Sequence, residues 1–444
     1  MLAGPIRIAP LQRCNYNLVK ALRFIAAVVF VVICVTSASF ASIMTAAPGK
    51  PEPQRLRWRS SKIKLAISNS LIQPNSNIKS DSDVMLAVRQ SLRAWQDVAD
   101  IVFVLETSDK LSLSPTGVFG DGVSLITIAQ TPENVLLFSK DPLAESAKTR
   151  VFYNQKGFIT EADIVLNPFQ QFSTDGTFGT FDLKSTLTHE IGHLLGLRHS
   201  GVVGATMSES LPKNGSFGNS DLASRALSES DIAAVRELYG GGDSEECCAA
   251  ITGKLSFESR RTVRELRIWA EDNRTGRVIA QDNTGSDGSF VLGGMPAGIY
   301  SVFWQKRDAL TPALVGELGI IKVEKGETRT LNSRVLLRAS DLTLSYIGVN
   351  SQLSDSAITL NAGREYVVYL GGKGYDARNI NLEFNSPFFT VDRKSIINQD
   401  FGEGLSVISF VVNVSENAAQ GEYSIFATGE NGLKGSLIGS LKVR

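Results

Sequence analysis

The chain has 444 residues with 45 basic and 45 acidic side chains, a formal net charge of zero and no basic stripe, which argues against nucleic acid as a partner. Its length suggests two to four domains. With only four cysteines it is not a disulfide scaffold, so folding must rest on buried apolar cores.

At the N-terminus, Arg7, Arg13, Lys20 and Arg23 precede an apolar run from Phe24 to Val35, and small residues then lead to Ser39-Phe40-Ala41. This predicts a signal peptide over residues 1–41, cleaved after Ala41, and a secreted, extracellular protein. The rival reading keeps the run as a membrane anchor, although its Thr, Ser and Cys make it marginal for spanning a bilayer. Residues 42–54, with Pro48, Pro51 and Pro53, read as a flexible lead-in.

Ile63 to Ile67 alternate as a strand, and an amphipathic helix follows from Val84. Val84, Val88, Leu92, Trp95 and Ala99 share its apolar face, and Ser82 is the expected cap. Ile101–Leu105 and Val123–Ile128 are β-branched runs suited to a buried sheet. Arg150–Asn154 and Phe158–Leu166 flank Gln155-Lys156-Gly157 as a hairpin. The loop from Phe169 to Thr180 is polar and glycine-rich. There, Asp175 with Asp182 or backbone carbonyls offers oxygen ligands that suit Ca2+, set against a plainer reading as turn and helix-cap chemistry.

All three histidines of the chain fall within His189-Glu190-Ile191-Gly192-His193-Leu194-Leu195-Gly196-Leu197-Arg198-His199. Asp182 is a suitable N-cap, and Leu183, Leu187, Ile191, Leu194 and Leu195 form a stripe at helical spacing. His189 and His193, four apart, stack on one helix face. Each lies about 200° from a stripe position, so the stripe can face a core while the imidazoles face a cleft. Gly196 can adopt the left-handed conformation that ends a helix, which turns His199 back toward the other two.

Three neutral imidazoles leave one tetrahedral position of a zinc ion open, the mark of a catalytic site. Zinc lowers the pKa of water at that position to about 7. Glu190, beside the first ligand, is placed to take the proton of that water and pass it to a leaving amine. One Zn2+ is therefore the expected cofactor, and protein or peptide the expected substrate.

The stretch Leu187-Thr188-His189 to His199-Ser200, with Ala205-Thr206-Met207 beyond it, resembles the metzincin zinc proteases. Ser200 and the closing run Asp231-Ile232-Ala233-Ala234-Val235-Arg236-Glu237-Leu238-Tyr239-Gly240 resemble the matrixin branch of that superfamily, and the resemblance covers residues 55–240. It implies an α+β catalytic domain, a mixed twisted sheet with an active-site helix. It further implies zinc on His189, His193 and His199, Glu190 as general base, Met207 as the Met-turn floor, and Asp231 bracing that turn. It also implies an edge strand that binds substrate by β-augmentation, for which Arg150, Val151, Phe152 and Tyr153 are the candidates. The chain departs from the animal matrixins at three points. It has no histidines for a second, structural zinc, no cysteine between residue 35 and the catalytic helix, and Ser208-Glu209 in place of the usual tyrosine-proline pair.

Ser228 and Asp231 form an S-x-x-D box that opens a helix, with Ile232, Val235, Leu238 and Tyr239 turned inward. Residues 241–248 read as a linker and include Cys247 and Cys248. Adjacent cysteines conflict with ordinary disulfide geometry, so these are expected as thiols or as partners of another chain. Beyond the linker, short alternating strands and Gly/Asn turns predict two all-β sandwiches. Residues 249–337 resemble carboxypeptidase-regulatory-like modules, and residues 338–444 resemble an immunoglobulin-like sandwich. Both read as spacers or as modules that bind cell-surface or matrix components. The reading is thus a secreted zinc endopeptidase. The rival is a catalytically silent adhesion or binding protein on the same scaffold.

Overall fold

The computed structural model describes residues 42–45, 55–115, 119–140, 142–143, 145–216, 225–241, 247–257, 266–306, 314–336, 342–430 and 432–444. The expected signal peptide, residues 46–54 of the lead-in and residues 242–246 of the linker lie outside the described residues.

Seven strands form the first sheet: β1 (Ser42–Thr45), β2 (Arg57–Trp58), β3 (Lys62–Ser68), β4 (Val102–Ser108), β5 (Leu125–Thr127), β6 (Ala147–Tyr153) and β7 (Phe158–Leu166). Their order is β1-β6-β7-β5-β3-β4, with β2 pairing β7. β6 runs antiparallel to β7, and the other pairs are parallel. The alternation read in Ile63–Ile67 holds only to Leu65: Lys62 and Lys64 face solvent, but Leu65, Ala66, Ile67 and Ser68 are all buried, because the strand lies inside the sheet between β4 and β5.

Among the described residues five helices accompany the sheet: α1 (Asn69–Ile72), α2 (Val84–Gln96), α3 (Pro132–Leu136), α4 (Leu183–Leu194) and α5 (Glu229–Tyr239). α2 buries Ala87, Val88, Leu92 and Trp95. Its cap is Asp83, whose carboxylate accepts from Leu86 N, and not the expected Ser82, whose hydroxyl accepts from Thr174 N instead. Spacing alone does not distinguish two neighbouring capping residues. Trp95 Nε1 donates to the Thr188 carbonyl and Ser91 Oγ to that of Lys184, so α2 is tied to α4 by hydrogen bonds as well as by packing. Eleven of the twelve residues of α4 are buried, which places this helix inside the core rather than on it.

Residues 42–54 are not wholly a flexible lead-in: Ser42–Thr45 pair in parallel with Thr149–Phe152 as β1. A flexible reading from small residues and prolines could not anticipate that an open sheet edge accepts the segment.

Past α5 the described residues form strands and turns. One pair of four-stranded sheets spans Ala249–Val335 and encloses Ile251, Leu255, Ile268, Phe290, Val302 and Trp304. A second pair spans Thr343–Val443 around Leu344, Leu370, Phe410, Tyr423 and Leu441. Cys247 and Cys248 are joined to each other across a cis peptide bond, which corrects the expectation of free thiols or partners elsewhere. That expectation applied the spacing rules of separated cysteines to neighbours in the chain.

The sandwiches are not isolated from the first sheet's domain. Val202 and Ala205 share a buried cluster with Trp269, Val278, Phe303 and Val315 of the first sandwich and Phe426 and Ile438 of the second.

Candidate metal centre

α4 delivers the first two histidines. Asp182 caps it by accepting from Ser185 N and Oγ, and Leu183, Leu187, Ile191 and Leu194 enter the core. The helix ends where expected. Gly196 has φ 98°, and a Cβ there would stand 2.2 Å from the Leu56 carbonyl oxygen, so both backbone and space demand glycine. The last carbonyls of the helix find partners outside it: Trp58 Nε1 donates to Leu194 O and Tyr239 Oη to Leu195 O.

The turn brings His199 back, and the ring centroids of the three histidines lie 4.8 to 5.2 Å apart. One ligand atom from each lies within 4.8 Å of the others. Among the described residues this is the one group of His, Cys, Asp or Glu that converges in this way.

Two backbone carbonyls settle the ring nitrogens. His189 Nδ1 lies 2.7 Å from Thr206 O and His193 Nδ1 lies 2.8 Å from Leu197 O. A carbonyl can only accept, so each Nδ1 carries the hydrogen and each Nε2 presents a bare lone pair. Those two Nε2 atoms are 3.1 Å apart, and His199 Nε2 is buried without a hydrogen-bond partner. Burial, reinforced by the neighbouring imidazoles, pushes His189 down to about 3 and His193 well below its ordinary value, so a shared proton is a poor solution. A divalent cation at the convergence point satisfies all three lone pairs. The donor set therefore fits zinc with one position left open.

Glu190 is buried, and its carboxylate accepts from the hydroxyl of Thr149 on β6. Burial pushes the Glu190 carboxyl up to about 8, while the Thr149 hydroxyl opposes the rise. A cation at the imidazoles would oppose it further. Met207 is 2% exposed beneath α4. The Asp231 carboxylate accepts from Thr206 N at 2.7 Å and Met207 N at 3.2 Å while closing a capping box with Ser228. One aspartate thus holds both the start of α5 and the turn whose carbonyl orients His189.

The candidate edge residues are placed differently from the expectation. Arg150, Val151, Phe152 and Tyr153 are all buried, and β1 covers their strand. Arg150 turns inward to donate to Ser114 O, and Val151 and Tyr153 join the core. In this structure β6 is therefore not a free edge. The carboxylates considered for calcium are taken by basic partners. Asp175 pairs with Lys79 and accepts from Thr177, and Asp182 pairs with Arg225 while capping α4. Both serve the turn and cap roles that were the plainer reading.

Thr149, Gly192, Trp58 and Tyr239 contribute to the centre through contacts between distant segments. Local spacing turns Tyr239 inward but does not say what any of the four meets.

Residues 143–240 match the family model described as matrixin. A 60-residue stretch is 45% identical to metalloendoproteinase 1 of Glycine max, covering 14% of this chain and 17% of that protein. A longer stretch of 224 residues is 26% identical to serralysin of Photorhabdus sp. (strain Az29), covering 45% of this chain and 41% of that one. The chain thus spans less than half the length of either relative. Among solved structures, the major pilin subunit BcpA of Bacillus cereus matches 43% of this chain and 67% of its own at 13% identity. Its TM-score of 0.19 carries no argument. The sequence matches support a metzincin-like domain in the part of the chain that carries the three histidines, and a metalloprotease at the level of the family.

Proposed function

We propose that this chain is a secreted zinc-dependent endopeptidase in which His189, His193 and His199 hold the metal and Glu190 is the general base. The observation that supports it most is the convergence of a ring nitrogen from each of the three histidines, two of the rings with their tautomer set by a backbone carbonyl.

A zinc ion held there supplies a Lewis acid that polarises the scissile carbonyl and acidifies the attacking water. The side chains do the rest. Glu190 takes a proton from the water as its oxygen bonds to the carbonyl carbon. It then delivers that proton to the peptide nitrogen as the C–N bond breaks. The Thr149 hydroxyl holds the Glu190 carboxylate in place. Asp231 holds the Thr206–Met207 turn, and through the Thr206 carbonyl it keeps the His189 tautomer. An extended peptide would lie along β6 once β1 has left that edge. The two β-sandwiches would also contact cell-surface or matrix components.

The test is casein hydrolysis by the purified chain with and without a chelator, alongside Glu190→Ala. The wild type should cleave and lose activity with the chelator, and Glu190→Ala should keep zinc yet cleave nothing. Wild-type rates in Glu190→Ala would overturn the assigned base. A wild-type chain that binds zinc and cleaves nothing would instead be the silent binding protein. N-terminal sequencing of the exported protein tests secretion, with a new terminus at Ser42 expected and an intact apolar run marking a membrane anchor.

A further inference from the structure

We propose that the two C-terminal sandwiches are structural parts of the metal centre, seating the turn that carries His199, and that Gln281 is the positioning residue for that turn. The inference rests on the reading of the three histidines as metal ligands.

The turn runs from His199 to Met207 and is closed on itself, with Ser200 N donating to Met207 O at 2.7 Å. A displacement anywhere in it therefore reaches both the third histidine and Thr206, whose carbonyl orients the first. Gly201 and Val202 are buried against the sandwiches, and the half-buried Ser200, Val203 and Gly204 also find partners there. Gln281, on the strand Val278–Asn283, accepts with Oε1 from Gly201 N at 3.0 Å and from Ser200 Oγ at 3.3 Å. Val203 N donates to Ile438 O at 2.8 Å and Gly204 N to Gly439 O at 3.0 Å, both on the chain's last strand.

Val202 is fully buried, plugged among Trp269, Phe303 and Phe426, whose rings lie 5.2 to 6.3 Å apart. Two glycines record how closely the sandwiches press. A Cβ on Gly201 would stand 2.6 Å from Arg267 Nε, and one on Gly204 would stand 2.8 Å from the Gly439 carbonyl oxygen. Three of the turn's backbone N–H groups and its central apolar side chain thus have their partners outside residues 55–240. A buried N–H needs a partner, so these contacts specify the turn's conformation. Beside them lies a cavity of about 460 Å³ bordered by His199, Met207, Asp231, Arg267, Gln281 and Phe290. It leaves the turn room to shift once the Gln281 contact is cut.

The test uses the full chain and the metal alone. Zn2+ affinity is measured by competition with a chelator, and the visible spectrum of the Co2+-loaded protein reports ligand geometry. Gln281→Ala should weaken Zn2+ binding about tenfold, the range seen when outer partners of a ligand are lost, and should alter the Co2+ spectrum. Gln281→Glu keeps an acceptor oxygen and should restore both. Tyr375→Phe removes a buried hydrogen bond to Leu370 O inside the second sandwich, away from the turn, and should leave both readouts as in the wild type. The proposal is overturned if Gln281→Ala binds Zn2+ as tightly as the wild type with an unchanged spectrum. It is equally overturned if Tyr375→Phe weakens binding by the same factor, because general stability would then explain the loss. A wild-type chain that binds metal but cleaves no peptide defeats the peptidase reading and leaves this comparison intact. A wild-type chain that binds neither ion defeats both.

Discussion

Gly192 makes room for Met207: a Cβ at residue 192 would stand 2.2 Å from the Met207 sulfur. Glycine inside a helix costs about 1 kcal/mol against alanine, so its presence in α4 needs a packing reason, and the methionine beneath the helix supplies it. The same Cβ would also lie 3.0 Å from the Trp95 ring, on the helix that α4 packs against. Gly192→Ala should therefore destabilise the protein by about 1–3 kcal/mol, the usual range for overpacking, as read from urea unfolding. Adding Met207→Ala should cost less than the sum of the two single changes, because each relieves the other. Strict additivity would show that the two side chains do not compete for this space.

Thr149 on β6 reaches Glu190 on α4, 41 residues further along the chain. Thr149→Val removes the hydroxyl at nearly constant shape and leaves a buried carboxylate oxygen without its donor. The expected loss in kcat/KM for peptide cleavage is about tenfold or more, with zinc content unchanged. Thr149→Ser, which retains the hydroxyl, should recover most of the rate. Equal rates in the valine and serine variants would remove Thr149 from the mechanism.

β1 occupies the edge along which a substrate strand would bind, and its register sets Ser42 opposite Thr149. A chain beginning at Arg55 should show a severalfold lower KM with little change in kcat, because an internal competitor for the edge has been removed. Steady-state kinetics on a peptide substrate decide the point. An unchanged KM would mean that substrate does not use β6.

Burial pushes Glu271 up to about 7 while Trp269 Nε1, Ser424 and Asn385 oppose the rise, and burial also pushes Asp163 and Glu229 to about 7. A carboxyl whose pKa is higher folded than unfolded binds its proton more tightly in the folded chain. Its contribution to stability is complete below the unfolded value near 4.5 and is lost as pH rises through about 7. The contribution of these three carboxyls to the unfolding free energy should therefore fall between pH 5 and pH 8, with Glu271 alone accounting for on the order of 3 kcal/mol, while the depressed His189 and His193 act in the opposite direction. Glu271→Gln should flatten part of that slope in urea titrations at pH 5, 6.5 and 8. The same pH dependence in Glu271→Gln as in the wild type would contradict the assignment.

The local pattern was readable wherever a backbone period or a single residue's conformational preference decided it. The four-residue spacing of His189 and His193, the left-handed Gly196 and the Ser228–Asp231 capping box all follow from helix geometry. The strand at Phe158–Leu166 follows from the turn at Gln155-Lys156-Gly157, and the one at Leu266–Asp272 from a short apolar run bounded by turn residues. The choice of Asp83 over Ser82 as a cap did not follow, because both satisfy the same local rule.

What only the tertiary structure decided are contacts between segments that no period connects. Thr149 and Glu190 are 41 residues apart, and Gly201 and Gln281 are 80 apart. Whether such pairs meet depends on how sheets and helices stack, and a sequence pattern encodes which face is apolar without encoding what it will press against. The same holds for β1, whose composition favours neither strand nor loop until an edge is offered, and for Gly201 and Gly204, whose purpose appears only when the sandwiches close on them. The sequence by itself therefore determined that the three histidines and the glutamate come together, because their spacing is local. The tertiary structure decided how they are held, because the groups that hold them come from the whole length of the chain.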